Sequence, residues 1–397
     1  MTLTNRQLFQ TYLGLPAQTD NPWEIVKAKG IYMYDAQGKD YIDMVSGVSV
    51  SNIGHLHPQI VDAIKTQLDD YMHLMVYGDF VETPQVLLAQ LLASHLGYGL
   101  DATYFVNSGS EAIEGALKLA KRATGRAEII HMNNAYHGGT TGALSMMGSE
   151  YYKNAFRPLL PAIREINFND FSHIDIISED TAAVVMEPIQ SEAGLIIPAP
   201  GYLEAIRQRC DEVGALLIFD EVQMGFGRTG SLFAFQKLNI RPDILCLAKA
   251  MGGGMPIGAF IANKDLMTKL SFNPVLGHIT TFGGHPVCCA AALANLKLLL
   301  DTDWIATADE KGRQIAESMR LHPLVKEVRQ VGLFVAIDID DNVDTTLLLQ
   351  RFRDNGLLGD LFLFRQHAFR IAPPICVTNE EVEEILRRVN NTLNSML

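Results

Sequence analysis

The sequence lacks any run of basic residues and carries little charge overall. Charged side chains make up 19% of the 397 residues, and the formal net charge is −13. Because nucleic acids and anionic membranes are bound through basic patches, neither is expected as a partner. Glycine (32) and proline (16) are too few for a low-complexity chain. The 48% hydrophobic content is that of a globular protein with about two to three domain-sized cores.

Cysteines are few, and their number is odd. None of the spacings matches a metal or redox motif, so we expect reduced, mostly buried thiols in a cytoplasmic protein. The N-terminal residues MTLTNRQLFQ also lack the basic-then-apolar layout of a secretory signal. The cysteines are Cys210, Cys246, Cys288, Cys289 and Cys376.

Neither a metal site nor a membrane helix is favoured. His55 and His57 form a pair, but no second cluster with ligand spacing accompanies them, so we predict a loop before a helix at Pro58 and no metal. The apolar segment 244–262 is long enough to raise the question of a membrane span. Its glycine run, Pro256 and Lys249 favour a buried strand–loop–strand segment instead.

Short apolar runs alternate with helical patterns through most of the chain. Three runs have the length of buried strands: 102–106, 182–186 and 215–219. Helical periodicity marks three other segments: 58–71, 111–124 and 201–213. The alternation predicts an α/β doubly wound fold with a mostly parallel central sheet. Ligands of such sheets lie beyond the carboxyl ends of the strands. Glu187 and Asp220 stand at this position, directly after the runs 182–186 and 215–219.

The sequence pattern changes after a long helical segment at residues 287–300. Charged helices and short strands follow, such as 332–339 and 369–372. We predict a large domain over residues 51–290 and a smaller α+β domain over residues 291–397. The N-terminal segment 1–50 is expected to complete the small domain.

Lys249 is the only charged residue in the apolar segment around it. An isolated ammonium group is costly in apolar surroundings unless it is neutralised or paired. Either the side chain reaches the surface along a helix, or it is a desolvated lysine with a lowered pKa that serves as a nucleophile.

Residues 107–111 (NSGSE) join the first apolar run to a helix. Ser108 and Glu111 have the spacing of a capping box. A cap does not account for Gly109 and Ser110, which are typical of a helix start that exposes backbone N–H groups to an anion such as phosphate. Both interpretations remain open at this point.

Asp220 ends the most hydrophobic run, 29 residues before Lys249, a spacing that fits one crossover and the next strand. It is either a surface acid or a buried carboxylate that needs a cationic partner, such as a protonated ring nitrogen. A phosphate-binding helix start, a buried acid and an isolated amine at one sheet edge together favour pyridoxal 5'-phosphate (PLP) as a cofactor.

Six segments resemble one known family, the class III PLP-dependent aminotransferases, related to acetylornithine, ornithine and 4-aminobutyrate aminotransferases. They occur in the family's order and spacing across almost the whole chain. The resemblance implies the fold-type-I architecture of PLP-dependent transferases and at least a homodimer. The segments are NSGSEAIEGALKLAKRATGR (107–126), AYHGGTTGALSMMG (135–148), VVMEPIQSEAG (184–194), LLIFDEVQMGFGRTG (216–230), PDILCLAKAMGGGMPIGAF (242–260) and TTFGGHPVCCAAAL (280–293).

The resemblance assigns roles to individual residues. Lys249 would hold PLP as a Schiff base and then move a proton between substrate and cofactor carbons. Asp220 would keep the pyridine nitrogen protonated, and Tyr136 would stack on the ring, the alternative for Tyr136 being core packing. Thr281 matches a threonine that reaches the phosphate held by the partner subunit. The remaining residues expected to bind the cofactor are Ser108, Gly109, Ser110, Glu187 and Gln223.

Two residues match the family's substrate-binding pair. Arg370 corresponds to the arginine that binds the substrate carboxylate through its planar guanidinium. Glu192 corresponds to the glutamate that pairs with this arginine when an amine end enters instead. Such a gate would let one pocket accept both an ω-amine donor and an α-amino acid.

Several positions depart from the family pattern. Gly139 stands where the acetylornithine and ornithine branches carry an arginine, and Arg365 is a guess for its replacement. Val48 stands where ornithine aminotransferases carry a tyrosine that binds the α-carboxylate. Ser191 stands where the family usually has glycine. The departures at Gly139 and Val48 argue against ornithine itself as the donor.

The predicted function is transfer of an amino group from a terminal-amine donor, an ω-amino acid or an acetylornithine-like compound, to a 2-oxo acid, with 2-oxoglutarate expected as the acceptor. An aminotransferase of the 4-aminobutyrate or β-amino acid type is the alternative. A PLP aminomutase or decarboxylating relative is a further one, as is a non-catalytic α/β binding protein that kept the fold.

Overall fold

The computed structural model describes residues 3–17, 19 and 22–397. Its α-helices are α1 (Asn5–Tyr12), α2 (Ser46–Ser49), α3 (Pro58–Asp70), α4 (Thr83–Leu96), α5 (Gly109–Thr124), α6 (Thr141–Ser145), α7 (Glu150–Lys153), α8 (Tyr202–Val213), α9 (Ala234–Leu238), α10 (Lys264–Thr268), α11 (Pro286–Asp301), α12 (Trp304–Arg320), α13 (Thr345–Asp354) and α14 (Asn379–Asn394). Short 3-10 helices span Asn154–Phe156, Phe171–Ile176, Lys249–Gly252 and Lys269–Ser271.

The strands are β1 (Ile25–Lys29), β2 (Tyr32–Asp35), β3 (Asp40–Asp43), β4 (Ala102–Val106), β5 (Glu128–Met132), β6 (Ile163–Ile166), β7 (Thr181–Met186), β8 (Leu216–Asp220), β9 (Ile244–Leu247), β10 (Gly258–Ala262), β11 (Val325–Val331), β12 (Phe334–Ile339), β13 (Leu357–Leu358), β14 (Leu361–Phe362) and β15 (Arg365–Ile371).

A seven-stranded sheet with the order β4-β10-β9-β8-β7-β5-β6 forms the centre of the described structure. The pairs from β9 through β8, β7 and β5 to β6 are parallel, and β10 is antiparallel to both of its neighbours. The prediction of a mostly parallel α/β sheet is therefore confirmed. Every residue of β7 and of β9 is buried, because helices cover both faces of a parallel sheet.

Helix α5 packs against β10 and β9 through one apolar face. Its buried residues include Ala112, Ile113, Ala116 and Ala120, which recur at the spacing of an amphipathic helix. The helix ends at Thr124 and is capped by Gly125, whose φ of 71° is the left-handed conformation that glycine adopts most readily. The start of α5 is thereby fixed beside the carboxyl ends of the parallel strands.

Two smaller sheets involve the ends of the chain. An antiparallel sheet has the order β11-β12-β15-β14 and packs against α12. In a second sheet, β1-β2-β3-β13, strand β13 pairs in parallel with β3 and so joins the C-terminal part of the chain to the N-terminal part. The domain limits remain a prediction, and the limit drawn at residue 290 lies within the continuous helix α11.

The helices and strands predicted from the sequence are present, with differences of a few residues at their ends. Helix α5 begins at Gly109 rather than Glu111 because Ser108 caps it. Within the part of the chain that the structure describes, no helix combines the length and apolar character needed to cross a membrane. His55 is bonded to the Asp43 carboxylate (3.0 Å), and no group of three or more His, Cys, Asp or Glu residues among residues 3–17, 19 and 22–397 is arranged to hold a metal ion.

Candidate active site

A cavity of about 420 Å³ lies at the carboxyl ends of β8 and β9, beside the start of α5. Its walls include Ser108, Gly109 and Ser110 from the helix start, Asp220 from β8 and Lys249 after β9. Residues that are 140 positions apart in the chain thus meet at the sheet edge where α/β proteins bind ligands. We call this space the cofactor cavity.

The helix start in the cofactor cavity combines a cap with exposed donors. The Ser108 hydroxyl accepts a hydrogen bond from the Glu111 N–H (3.2 Å), while the Glu111 carboxylate accepts from the Asn107 N–H (2.8 Å). Ser108 therefore caps the helix, and Glu111 closes the preceding turn. The N–H groups of Gly109 and Ser110 belong to the first turn, which lacks intrahelical acceptors and favours an anion.

Glycine at residue 109 permits close packing. A Cβ atom there would lie 2.9 Å from a methyl group of Val222, two residues beyond the end of β8. The absence of a side chain therefore lets the helix start approach the end of β8. The Ser110 hydroxyl accepts a hydrogen bond from the Gly139 N–H (3.2 Å), which ties the loop after β5 to the same helix start.

Asp220 is the last residue of β8 and is almost fully buried, with 5% of its surface exposed. One carboxylate oxygen lies 2.8 Å from Nδ1 of His137, and the other accepts from the Val222 N–H (2.9 Å). Sequence reasoning did not single out His137, although it directly follows Tyr136. Nε2 of His137 is buried without a hydrogen-bond partner among the described residues.

Asp220 lines the cofactor cavity, whereas the next residue, Glu221, does not. Successive side chains of a strand point to opposite faces, and Glu221 turns away to accept hydrogen bonds from the N–H groups of Ala234 and Phe235 (both 2.6 Å). Burial raises the pKa of Glu221 to about 7. Its role is to cap α9, which the sequence alone does not distinguish from a role at the site.

Lys249 begins the 3-10 helix after β9 with a φ of 49°. This left-handed conformation costs a residue with a side chain about 1–3 kcal/mol and is typical of functional sites. The ammonium group donates to Oε1 of Gln223 (2.9 Å). Burial lowers the pKa of Lys249, although the carboxylates of Glu192 and Asp220 oppose this effect. The predicted neighbourhood of Lys249 and Asp220 on adjacent strands is present.

Tyr136 and Glu187 form another wall of the cofactor cavity. Tyr136 is 37% exposed, which does not fit core packing. The Glu187 carboxylate accepts hydrogen bonds from the N–H (2.8 Å) and the hydroxyl (2.5 Å) of Ser191, and lies 3.4 Å from the Tyr136 N–H. Burial raises the pKa of Glu187 to about 7. Ser191, the departure from the family glycine, thus touches a residue of the cavity.

A second cavity of about 330 Å³ adjoins the first and shares Tyr136, Gln223 and Lys249 with it. We call it the substrate cavity. Arg370 donates from its two terminal nitrogens to the two carboxylate oxygens of Glu192 (2.8 and 2.9 Å). Burial disfavours the charged form of Glu192, but the bonds from Arg370 outweigh burial and lower the pKa of Glu192. The predicted substrate-binding pair is therefore in contact.

The structure also places the positions that depart from the family pattern. Val48 lines the substrate cavity, whereas Arg365 lines neither cavity and is bonded to the Asp338 carboxylate. The guess that Arg365 replaces the missing arginine is thus not supported. Gly139 is exposed. Thr281 is also exposed, outside both cavities, with its hydroxyl 3.4 Å from that of Tyr77.

The residues of the cofactor cavity fit PLP. A helix start suits its phosphate, a buried carboxylate suits a protonated ring nitrogen, and a lysine with a lowered pKa suits its carbonyl carbon. The volume of the cavity lies within the range of about 300–1,000 Å³ usual for small-molecule sites.

Comparisons with known proteins agree with this geometry. Residues 15–393 match the family described as aminotransferase class-III. The ornithine aminotransferase of Toxoplasma gondii has a TM-score of 0.92 and 30% identity, covering 99% of this chain and 96% of that one. A PLP-bound amine transaminase from an uncultivated Pseudomonas species has a TM-score of 0.90 and 26% identity, covering 98% and 99%. The (S)-enantioselective omega-transaminase of Thermomicrobium roseum has a TM-score of 0.90 and 27% identity, covering 100% of both chains. The chain belongs to the class III aminotransferases and is a PLP-dependent transaminase.

Proposed function

We propose that this transaminase takes its amino group from a terminal-amine donor and passes it to a 2-oxo acid, with 2-oxoglutarate as the expected acceptor. The observation that carries the proposal is the paired Arg370 and Glu192 in a cavity that extends to Lys249. With the pair closed, the guanidinium of Arg370 is occupied by Glu192 and is not open to a carboxylate, so this end of the cavity accepts an amine end. With Glu192 displaced, the guanidinium of Arg370 can bind a carboxylate through two parallel hydrogen bonds.

The chain's own residues supply binding, orientation and proton transfer. When bound, PLP supplies a carbonyl that condenses with amines and a ring that stabilises the electron pair left on the substrate carbon. Nζ of Lys249 would move the proton of the substrate carbon, and its lowered pKa makes the unprotonated amine more available near neutrality. Asp220, held by His137, would keep a proton on the ring nitrogen. Gly109 and Ser110 would bind the phosphate, and Tyr136 would cover the ring.

The lining of the substrate cavity favours one class of donor. Val48 and the leucines Leu361 and Leu363 make part of its wall apolar. Gly139 contributes no side chain. A donor with an α-carboxylate would therefore depend on Arg370 alone, which supports donors that present a terminal amine without a neighbouring carboxylate.

We also propose a homodimer, supported by an exposed apolar surface that includes the position of Thr281. Two segments, residues 72–81 and 272–282, meet through His73 and Phe282, whose ring centroids are 5.0 Å apart. Exposed apolar clusters of this kind mark protein interfaces. The exposed side chains are Met72, Leu74, Met75, Phe80, Val81, Phe272, Val275, Leu276, Ile279 and Phe282.

The predicted domain limits and compartment are kept as proposals. Pairing of β13 with β3 supports assigning the N-terminal segment to the small domain. The five cysteines are free thiols, four of them buried, which supports a reducing compartment such as the cytoplasm.

A panel of amine donors tests the function. The purified holoenzyme is given 4-aminobutyrate, 5-aminopentanoate, β-alanine, N-acetylornithine and ornithine, each with 2-oxoglutarate or pyruvate, and kcat/KM is measured for each pair. We expect each of the other four donors to give a higher kcat/KM than ornithine, with an aldehyde as the product. Carbon dioxide release or an isomerised product would instead indicate a decarboxylase or aminomutase. A Gly139→Arg variant in the same panel tests whether the missing arginine sets the acceptor.

A further inference from the structure

Asp360 adds a second carboxylate to the substrate cavity, and the class III assignment leaves it without a role. It lines the cavity together with Arg370, Glu192 and Lys249. It precedes β14, whose first residue, Leu361, accepts a hydrogen bond from Arg370 through its carbonyl group (2.9 Å). The sequence around Asp360 contains no motif, so only the folded chain brings this carboxylate to the site.

The carboxylate of Asp360 approaches the guanidinium of Arg370 without a hydrogen bond between the two side chains, although the backbone N–H of Arg370 donates to the Asp360 carbonyl (3.1 Å). Its carboxylate oxygen lies 3.3 Å from Nε of Arg370, yet that N–H has no hydrogen-bond partner among the described residues. The two terminal nitrogens of Arg370 are instead bonded to Glu192, which also accepts from the Leu363 N–H (3.1 Å). Two of the three guanidinium nitrogens of Arg370 are thus bonded to Glu192, and the positive charge of Arg370 is shared between two anions.

The excess negative charge lies on the most accessible of the three groups. The side chains of Arg370 and Glu192 are 3% and 10% exposed, whereas that of Asp360 is 43% exposed. One cation and two carboxylates leave the cavity with a net negative charge at this end. A carboxylate that faces a cavity and lacks a full cationic partner attracts a cationic group of the ligand.

We propose that Asp360 binds the distal ammonium group of a diamine donor, whose other amine reacts at the Lys249 end of the cavity. The inference rests on the proposed terminal-amine function and specifies its substrate class. The apolar wall formed by Val48, Leu361 and Leu363 suits the methylene chain between the two amines. A donor with a distal carboxylate would meet two carboxylates beside Arg370 and would have to displace Glu192 before it could bind.

The competing role for Asp360 is structural support of Arg370. In that case the Asp360→Asn variant would raise KM for the 2-oxo acid, because Arg370 would be less well positioned for the carboxylate. It would leave the choice between diamines and monoamines unchanged. The two roles therefore differ in which half of the reaction the variant affects.

The test uses the donor half-reaction of the holoenzyme, followed by the absorbance change of the bound cofactor without any 2-oxo acid. Three donors of equal chain length are compared: 1,5-diaminopentane, pentylamine and 5-aminopentanoate. The quantities measured are the rate constant divided by the apparent Kd for each donor and, in separate steady-state assays, KM for the 2-oxo acid. The variants are Asp360→Asn and Asp360→Glu. The matched control is Asp341→Asn, because Asp341 is an aspartate outside the substrate cavity that also pairs with a cation, Lys326.

We expect the wild-type enzyme to prefer the diamine over the monoamine by about tenfold, or ~1.4 kcal/mol. Asp360→Asn should reduce this ratio to about one and should improve 5-aminopentanoate, while Asp341→Asn should leave all three donors unchanged. Asp360→Glu keeps the charge but extends it by one methylene group, so its preference should move toward 1,4-diaminobutane.

Several results would overturn the inference. A wild-type enzyme that handles pentylamine as well as the diamine excludes a second ammonium site, whatever the variants do. Equal loss for all donors in Asp360→Asn, or a rise confined to KM for the 2-oxo acid, assigns Asp360 to the support of Arg370. If no amine converts the cofactor, the proposed terminal-amine function fails as well; conversion of pentylamine without a diamine preference removes only the present inference.

Discussion

The cofactor cavity and the substrate cavity share three residues but are built differently. The cofactor cavity consists of strand ends and a helix start that are fixed by packing, as at Gly109 against Val222. The substrate cavity adds residues near β14 and β15 and depends on ionic contacts around Arg370. Rigid packing suits one invariant ligand, whereas exchangeable ion pairs suit two substrates that occupy one cavity in turn. Variants in the two cavities should therefore have different consequences.

The largest expected effect lies in the cofactor cavity, at Lys249. Lys249→Ala removes both the covalent attachment and the group that moves the proton, so kcat/KM should fall by about 10²–10⁴-fold or more. Steady-state kinetics measures the loss, and mass spectrometry after borohydride reduction shows which peptide carries PLP. Lys264→Ala on the exposed start of α10 is the control and should keep full activity. Activity retained in Lys249→Ala would place the reactive amine elsewhere.

A smaller effect is expected on stability, from carboxyl groups buried in or beside the cofactor cavity. Burial raises the pKa of Glu187 and of Glu221 from the ordinary 4.5 to about 7. The folded state binds these protons more tightly than the unfolded state, so proton binding adds to the free energy of unfolding. This added stability is fully present below about pH 4.5 and is lost as the pH rises through about 7. Each group accounts for at most about 3 kcal/mol.

Urea unfolding of the cofactor-free protein across this pH range checks the prediction. Glu187→Gln and Glu221→Gln cannot titrate, so each should lower the dependence of the unfolding free energy on pH. The two variants serve as controls for each other, since Glu187 lines the cavity and Glu221 caps α9. A pH dependence identical to that of the wild-type protein in both variants would show that these groups titrate alike in the folded and unfolded chain.

The smallest effect is expected in the substrate cavity, at Arg370. Arg370→Lys keeps the charge but loses the planar fork that matches a carboxylate, so KM for 2-oxoglutarate should rise about tenfold, or ~1.4 kcal/mol. The half-reaction with an amine that lacks a carboxylate should change much less. Arg365→Lys, outside both cavities, is the matched control. An equal loss in both half-reactions would contradict the assignment of Arg370 to the carboxylate.

The cofactor cavity could be predicted from the sequence to a large extent. Short fully apolar runs identify β7 and β8, and their ends identify the edge where Asp220 lies. The isolated charge of Lys249 marks a position next to the same edge. These signals are local: each depends on a few adjacent residues and on the regular geometry of parallel sheets.

Several contacts could not be derived from local sequence patterns, because they join distant segments. His137 is bonded to Asp220 across 83 positions, and Glu192 to Arg370 across 178. The resemblance suggested the second contact, but nothing in the sequence indicated the first. Glu221 and Asp220 are adjacent acids with opposite roles, and only the direction of each side chain separates them.

The sequence by itself determined the α/β class, the strand ends that hold Asp220 and Lys249, and the helix start at Ser108. It could do so because apolar periodicity and capping residues act within one or two turns of the chain. Only the tertiary structure decided three contacts. Arg365 pairs with Asp338, Ser191 donates a hydrogen bond to Glu187, and Asp360 lines the substrate cavity. Polar and charged side chains carry no periodic signal that identifies their partners, and those partners are set by how the folded segments pack against one another.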